Sequence, residues 1–341
     1  MKKNRPQRED RRAAAVMAVL SAALLALFLF SFVLGRYDVP VRDLVRILAD
    51  GLLGREPQNN MEIAVRSVRL PRILLACLVG CCLSVSGTAC QSVFRNPMAS
   101  PDVLGAASGA CFGAALAILL GATKSGIIVS AFASSLLTVG LVWLIGSRSH
   151  GSSVVGILLA GIMVSSLFSA GTSYIKLVAD PSNQLPAITY WLMGSLSGVR
   201  MADVRFALLP MALGLAPLVA LRWRINLLTL GEEEASAMGV NVRALRAVTL
   251  FSAALLTAVC VSVSGMIGWV GLVIPQLCRK LVGSNTRRLI PASMLFGAFF
   301  LLLVDDVSRS LLSVEIPIGI LTAFVGAPFF LYLMTRKENV L

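Results

Sequence analysis

The sequence predicts an all-α fold: a polytopic membrane protein with about ten transmembrane helices and an inverted internal repeat. Three observations carry this prediction. Of the 341 residues, 57% are hydrophobic, which is more apolar surface than one soluble core can bury. Several runs of about 20 residues contain no charge, and a helix of that length crosses a bilayer. A short motif also recurs in the second half of the chain with a proline and a glycine in register.

The first hydrophobic run predicts a membrane span rather than a cleaved signal. The head, residues 1–12, carries six Lys/Arg, and residues 13–35 follow without a charge. A signal peptide has an apolar region of about 7–15 residues, whereas this run has 23. The basic head therefore places the N-terminus in the cytoplasm. Residues 36–72 come next and are polar, with four apolar residues that share one helical face and predict an interfacial helix: Val41, Leu44, Val45 and Leu48.

Nine further runs lack charge: residues 73–94, 103–123, 125–147, 151–175, 181–199, 206–221, 247–278, 289–304 and 316–335. Two of them need interpretation. The run 181–199 contains Pro186 and few long aliphatic residues, so we expect a short interfacial helix there. The run 247–278 is too long for one crossing and contains Gly265 and Pro275, so we expect it to divide in two. The count is then ten, and an even count returns the C-terminus to the cytoplasm.

The charge distribution agrees with this topology. The formal charge of +13 comes mostly from basic residues between the apolar runs, where they set orientation, so nucleic-acid binding is not predicted. Eighteen Lys/Arg fall inside and 12 outside. The seven cysteines lie in or beside apolar runs without CxxC spacing and predict neither disulfides nor a metal site. His150, the only histidine, is expected in a cytoplasmic loop, and no cofactor is expected.

The repeated motif is SVSG, at residues 84–87 and again at 262–265. At the same offset of 178 residues, Pro97 matches Pro275 and Gly105 matches Gly283. Five crossings separate the copies, so they would have opposite orientations, and inverted repeats place a pathway between the halves. The prolines at 97 and 101 predict that a span ending near Gly87 gives way to irregular chain.

Motifs along nearly the whole chain resemble those of the permease subunits of ABC importers for iron chelates, haem and vitamin B12. They are RLPR at 69–72, Gln91 with RNPMASPDVLG at 95–105, LGEEEA at 230–235 with Gly239, GLVIP at 271–275, EIPIG at 315–319 and GAP at 326–328. One departure is Gln276, where many relatives have histidine. The resemblance implies ten helices per subunit in the cytoplasmic (inner) membrane of a bacterium or archaeon. It also implies a homodimer or a pair of similar permeases, two cytoplasmic ATP-binding subunits and an external substrate-binding protein.

The resemblance assigns ATPase coupling to the cytoplasmic loop 221–246 of a single domain that spans residues 1–341. Its pattern alone indicates a solvated loop helix, with an acidic first turn between two glycines. The coupling residues are Leu230, Gly231, Glu232, Glu233, Glu234, Ala235 and Gly239.

Two further groups of residues have a structural and a functional interpretation. Gln91, Asn96 and Pro97 either break a helix or line the pathway, because polar groups at membrane depth need partners or water. By resemblance, the inner gate falls on Ser152, Ser153 and Val154, whose small side chains allow helices to approach closely.

Three arginines on the outer side, Arg69, Arg72 and Arg309, weaken the positive-inside count. They either snorkel to lipid headgroups or, as the resemblance implies, dock the acidic residues of the binding protein. In a dimer they would form two basic clusters that face outward.

The predicted function is a translocation pathway driven by separate ATPases, because the chain has no Gly-x4-Gly-Lys-Ser/Thr loop. The alternative, an ion-coupled secondary transporter, normally needs ionisable groups at mid-membrane, and the long runs lack acids. A membrane-embedded enzyme is not predicted, because there is no HExxH motif or histidine cluster. The expected substrate is an iron-siderophore, followed by haem, a corrinoid or a metal oxyanion.

Overall fold

The computed structural model describes residues 5–35, 39–53, 55, 59–148, 154–312 and 314–335. Within these residues every regular element is a helix. The α-helices are α1 (Arg5–Val33), α2 (Val41–Leu52), α3 (Asn60–Ile63), α4 (Leu70–Phe94), α5 (Ala106–Leu119), α6 (Lys124–Arg148), α7 (Val154–Val178), α8 (Gln184–Leu192), α9 (Met201–Ala220), α10 (Arg222–Leu228), α11 (Glu232–Ala237), α12 (Val242–Ser264), α13 (Val270–Val282), α14 (Thr286–Ser310) and α15 (Ile318–Thr335). A π-helical stretch (Ala64–Arg69) joins α3 to α4, and a 3-10 turn (Pro101–Leu104) precedes α5.

Seven helical segments of the described chain are long and apolar enough to cross a membrane. They are Asp10–Val33, Asn60–Phe94, Lys124–Arg148, Val155–Val178, Met201–Ala220, Val242–Ser264 and Thr286–Ser310. The prediction of a multi-pass, all-helical membrane protein is therefore confirmed. A count of ten requires that α5, α13 and α15 also cross the membrane. Helix α5 has 14 residues and, at 1.5 Å per residue, is about 21 Å long, which is shorter than the hydrocarbon core of a bilayer. The ten-span count stays a prediction.

Helices α4 and α12 form the centre of the molecule. In each, 78% of the residues in the apolar stretch are buried, compared with 17% for α1. Their buried hydroxyl groups donate to backbone carbonyls, as Ser86 Oγ does to Ala253 O across the two helices at 2.8 Å. Helix α14 packs on the other side of α4, where Thr88 Oγ1 donates to Ser293 Oγ at 3.0 Å. Small hydroxyl residues are common in these helices because they let the helices approach closely while their own hydroxyl groups are satisfied by hydrogen bonds.

The structure corrects the expectation that the second span ends near Gly87. Helix α4 continues through Gly87 to Phe94, and the chain turns at Arg95, which has φ 48°. Gly87 instead serves close packing, because a Cβ atom there would lie 1.7 Å from the carbonyl oxygen of Gly271. The break that the prolines predicted lies after the helix rather than within it.

The second SVSG motif has a different structure from the first. Helix α12 ends at Ser264, and Gly265 follows with φ 68°. The predicted division of run 247–278 is therefore confirmed, since α13 begins at Val270. One motif lies within a helix and the other ends one, so the local structures do not match. The inverted repeat stays a prediction.

Two shorter elements also test the sequence analysis. Helix α8 is the short helix expected within run 181–199. Among the described side chains of α2, Leu44 and Ile47 are buried and Val45 is 72% exposed, and the side chains of Val41 and Leu48 lie outside the described residues. The interfacial position of this helix stays a prediction.

The connections between the long helices gather at two ends of the bundle. At the first, the arginine end, Arg72 bonds to Glu315, Lys124 Nζ donates to Gly198 O at 2.6 Å, and the N–H of Ile318 donates to Gly194 O at 2.9 Å. At the second, the coupling end, Gln276 donates to Pro97 O, Thr286 Oγ1 donates to Arg222 O, and Arg288 pairs with Asp10. Each contact joins connections that the ten-span topology assigns to one side.

Candidate functional site

The coupling segment, residues 221–246, contains the two short helices that its glycines predict. Helix α10 ends at Leu228, and α11 begins after Gly231, which has φ 147°. A Cβ atom on Gly231 would lie 1.9 Å from Glu234 Oε2, so the glutamate side chain lies directly over the glycine. Gly239 has φ 78°, and its N–H donates to Ser236 O at 2.9 Å, closing the second helix. A side chain at either glycine would be strained.

The coupling segment is anchored to the start of α14. Thr286 Oγ1 donates to Arg222 O at 2.7 Å, and the Thr286 N–H donates to Asn226 Oδ1 at 3.2 Å. Ile225 and Ala235 are both fully buried beneath the segment. These contacts join α10 to a long helix, so a force on the segment reaches the membrane-spanning bundle.

The outer face of the coupling segment carries apolar side chains. Trp223 is 59% exposed, Leu230 53% and Met238 61%. Glu233 and Glu234 are exposed beside them; the side chain of the remaining acid, Glu232, lies outside the described residues. Exposed apolar residues bordered by charges are typical of a protein contact.

Gln91 is buried and bonded to protein atoms. Its Nε2 lies 3.4 Å from the carbonyl oxygens of Gly271 and Leu272, and its Oε1 accepts from Gln276 Nε2 at 3.2 Å. Gln276 also donates to Pro97 O. The two glutamines thus tie the end of α4 to α13, and the protein itself satisfies the polar group that suggested a watery pathway. No local sequence pattern predicts this pair, because the two glutamines lie 185 residues apart along the chain.

The other predicted pathway residues lie at the coupling end or outside the described chain. Asn96 is exposed, and its Oδ1 accepts from the Met98 N–H at 2.9 Å, which fixes the turn after α4. Pro97 is exposed in the same turn. Ser152 and Ser153 fall outside the described residues. Val154 is the first residue of α7, and its side chain is also outside them.

Arg72 lies in a buried ionic group at the arginine end. Its Nε donates to both carboxylate oxygens of Asp305, at 3.0 and 3.1 Å, and its Nη1 donates to Glu315, at 2.9 and 3.0 Å. The Arg72 side chain is 8% exposed, that of Asp305 0% and that of Glu315 28%. Asp305 therefore neutralises the guanidinium in the interior, and Glu315 is the carboxylate that solvent reaches.

Arg309 and Arg69 are also buried against their own chain. Arg309 donates to the carboxylate of Asp306 and, at 2.6 Å, to Ser31 O. Arg69 donates to Phe32 O. The three arginines thus connect α1, α4 and α14, and the three neighbouring acids, Asp305, Asp306 and Glu315, balance their charge.

The structure does not expose these arginines as two outward-facing basic clusters would require, because Arg72 and Arg309 turn inward to acids of the same chain and Arg69 donates to the Phe32 carbonyl. The acids lie 233 and 243 residues from Arg72 along the chain. Sequence reasoning missed them because such pairings leave no local pattern. The docking role stays a prediction.

Among the described residues, no group of three or more His, Cys, Asp or Glu side chains could hold a metal ion. The cysteines are buried or half-buried thiols within helices. The predicted site residues that the structure describes therefore lie mostly at the two ends of the helical bundle, the arginine end and the coupling end.

The long apolar helices of this bundle define a multi-pass membrane protein. The family model described as the FecCD transport family matches residues 23–336, and the chain belongs to that family. Its relatives are permease subunits of ABC importers, which are transport components and not enzymes.

Several named relatives are similar over most of the chain. The molybdate import system permease of Haemophilus influenzae is 41% identical over 320 residues, covering 94% of this chain and 95% of the relative. A protein named as a probable iron chelatin permease of Helicobacter pylori is 42% identical, covering 84% and 87%. The hemin permease of Yersinia pestis is 38% identical, covering 80% and 83%. A solved structure titled as an inward-facing, metal-chelate type ABC transporter has a TM-score of 0.85 and 39% identity, covering 94% and 99%.

Proposed function

We propose that this chain forms the translocation pathway of a binding-protein-dependent importer of metal chelates in a bacterial or archaeal inner membrane. Two cytoplasmic ATP-binding subunits drive it, an external binding protein delivers the substrate, and a second copy of the permease completes the pathway. The observation that carries the proposal is the coupling segment. Its exposed apolar face fits a protein partner, and its backbone is bonded to the start of α14.

In the ten-span topology, the arginine end faces the binding protein and the coupling end faces the ATPase. Contacts at the arginine end join only connections assigned to the outside, and those at the coupling end join only connections assigned to the inside. This grouping supports cytoplasmic N- and C-termini. In this proposal the coupling segment lies on the ATPase side, and Arg69, Arg72 and Arg309 lie on the binding-protein side.

In this proposal, the coupling segment transmits the movement of the ATPase because the segment is rigid. Gly231 and Gly239 close α11 tightly, and Leu230, Glu233, Glu234 and Met238 present the contact surface. Because α10 is hydrogen-bonded to Thr286, movement of the ATPase dimer tilts α14 rather than bending a loop. The inner gate is assigned to Ser152, Ser153 and Val154, at the point in the sequence where α7 begins.

At the outer end, docking depends on the one acid of the arginine group that solvent reaches. Glu315 is 28% exposed, whereas Asp305 is fully buried, so a carboxylate of the binding protein binds Arg72 by displacing Glu315 from its Nη1. Arginine suits such a contact because its planar fork binds carboxylates with two bonds.

The proposed substrate is a metal chelate, with an iron-siderophore first and haem, a corrinoid or a metal oxyanion as alternatives. The relatives are named for iron chelatin, hemin, cobalamin and molybdate. The ligand carried by the partner binding protein identifies the substrate.

Reconstitution in vesicles tests the proposal against an ion-coupled transporter. We expect uptake of the binding protein's ligand only when the ATPase, the binding protein and ATP are all supplied. Uptake that follows an imposed ion gradient without ATPase would contradict the proposal.

A further inference from the structure

An apolar groove of about 830 Å³ lies between α6 and α9, with α12 as its floor. Gly140 and Trp143 of α6, Leu213 and Pro217 of α9 and Phe251 of α12 line it. None of these residues belongs to the coupling segment or the arginine group. Its volume is within the range of about 300–1,000 Å³ that is usual for ligand sites.

The groove exists because α6 and α9 touch near one end only. Phe132 and Phe206 pack edge to face toward the arginine end, with ring centroids 5.7 Å apart. Toward the coupling end both helices rest on α12, and the groove opens between them. Gly140 faces this space, since a Cβ atom there would meet no atom within 4 Å.

The helices that line the groove also carry exposed aliphatic residues outside it. Leu137 and Leu144 of α6 are 59% and 45% exposed, and Leu209 of α9 is 67% exposed. All three belong to helices long and apolar enough to cross a membrane. The groove therefore opens toward hydrocarbon.

The end of the groove nearest the coupling segment is basic. A second groove of about 450 Å³ shares Val248 with the first and is lined by Trp223 and Arg224. Arg243 precedes Ala247 of the first groove by four residues, so the two lie on one face of α12. Arg224 and Arg243 are exposed and form no ion pair within the described chain, and neither set of lining residues contains an acid.

We propose that the two grooves form a binding site for an anionic phospholipid. An acyl chain fills the apolar groove, and the phosphate binds Arg224 and Arg243, whose planar guanidinium groups suit phosphate oxygens. Basic pockets between membrane helices on the cytoplasmic side are known to hold such headgroups. Trp223, 59% exposed at the mouth, lies at the depth where interfacial aromatics concentrate.

An extended protein segment fits the apolar groove poorly. Backbone N–H and C=O groups at hydrocarbon depth need partners, and the lining side chains are apolar except for Ser252. An ATPase could cover the mouth, but a soluble protein would not reach the apolar part. The apolar groove is independent of the substrate, whereas the second groove shares Trp223 and Met238 with the coupling segment, so the headgroup would bind beside the proposed ATPase contact.

Fluorescence quenching tests the site in the full-length permease reconstituted in vesicles. Trp191→Phe, Trp223→Phe and Trp269→Phe together leave Trp143 as the only tryptophan, inside the groove. Vesicles contain phosphatidylglycerol or phosphatidylcholine with brominated acyl chains at equal mole fraction. We expect tighter apparent binding of phosphatidylglycerol at Trp143, by roughly fivefold or more, because each arginine near the surface adds on the order of that factor.

Two variants separate the parts of the site. Arg224→Gln with Arg243→Gln should abolish the preference and leave quenching by both lipids. Gly140→Leu should reduce quenching by both lipids because it fills the groove without a clash. Leu137→Phe, on the same helix and outside the groove, is the matched control. Both lipids should quench Trp143 in this variant as they do in the protein that carries only the three tryptophan substitutions.

Three outcomes would overturn the proposal. The first is equal binding of the two lipids by the parent. The second is a preference that survives the double arginine substitution. The third is a preference that disappears when the ATPase is bound, because the mouth would then be a protein contact.

Discussion

At the residue scale, glycines determine how closely the central helices approach. A Cβ atom on Gly80 would lie 2.2 Å from Gly297 O, and one on Gly87 would lie 1.7 Å from Gly271 O. Both distances are far below van der Waals contact, so the helix α4 packs backbone to backbone against α14 and α13. Gly140 has open space instead. The same residue type therefore has opposite roles in two helices.

Gly87→Ala should destabilise the protein, because the added methyl group collides with a backbone carbonyl that has little room to move. We expect a loss of about 1–3 kcal/mol, the usual cost of overpacking, measured as a lower melting temperature in detergent. The matched control is Gly140→Ala, which should gain roughly 0.5–1 kcal/mol because alanine favours a helix over glycine. Equal melting temperatures for the two variants would show that α4 and α13 do not pack this closely.

Arg72→Leu should destabilise the protein strongly, because it leaves the fully buried Asp305 without its guanidinium. Breaking a buried pair costs about 3–5 kcal/mol, whereas replacing both partners with apolar residues is often neutral. Arg72→Leu with Asp305→Leu should therefore recover most of the loss in melting temperature. Glu315→Gln is the partly exposed control and should cost only about 0–1 kcal/mol.

The same double variant separates the structural role of Arg72 from docking. If it folds and its affinity for the binding protein falls, Arg72 also contributes to docking. Unchanged affinity would restrict Arg72 to holding α4 and α14 together. Reversing Arg72 to Glu is less informative, because a third carboxylate would then lie beside Asp305 and Glu315.

At the element scale, the coupling segment combines an exposed contact face with a fixed base. Its two glycines close the short helices, and Thr286 bonds to α10 at two points. These hydrogen bonds hold α10 firmly against the start of α14. That stiffness is what force transmission from a cytoplasmic partner requires.

Leu230→Ser with Met238→Ser should weaken ATPase binding by roughly fivefold or more, since a contact residue that matters contributes over about 1 kcal/mol. Both side chains are more than half exposed, so the melting temperature should hardly change. Crosslinking to the ATPase and ATP-driven uptake are the measurements. Leu120→Ser, 75% exposed at the arginine end, is the control and should leave both intact. Normal crosslinking by the double variant would remove the contact role of this face.

At the scale of the whole molecule, contacts divide the connections between an arginine end and a coupling end. The division matches the sides that the ten-span topology assigns, although only seven segments of the described chain have the length and hydropathy of a full span. The three shorter apolar helices, α5, α13 and α15, must cross for the topology to hold.

Sided labelling tests that topology. A membrane-impermeant thiol reagent added to intact cells should label Leu120→Cys, whereas Arg95→Cys and Met238→Cys should react only after the membrane is opened. The native cysteines are buried or half-buried, which keeps the background low. Labelling of Leu120→Cys and Met238→Cys from the same side would rule out the ten-span arrangement.

Local pattern predicted much of the fold and part of the site. Charge-free runs located the long helices, and the glycines at 231 and 239 located α11 and its ends. The same kind of pattern failed at Gly87, because a glycine that ends a helix and one that allows close packing look identical in sequence. It also failed to anticipate the partners of Arg72 and Gln91, which come from distant helices.

By itself, the sequence determined the class of the protein, because hydrophobic run length and helix-breaking residues depend only on neighbouring positions. It also determined the family, through motifs that extend along most of the chain. Only the tertiary structure decided which polar groups are free and which are paired. Arg72, Asp305 and Glu315 meet because α4 and α14 pack together, and Gln91 meets Gln276 because Gly87 lets α13 approach. Such pairings depend on distances in space, and those distances follow from the packing of whole helices.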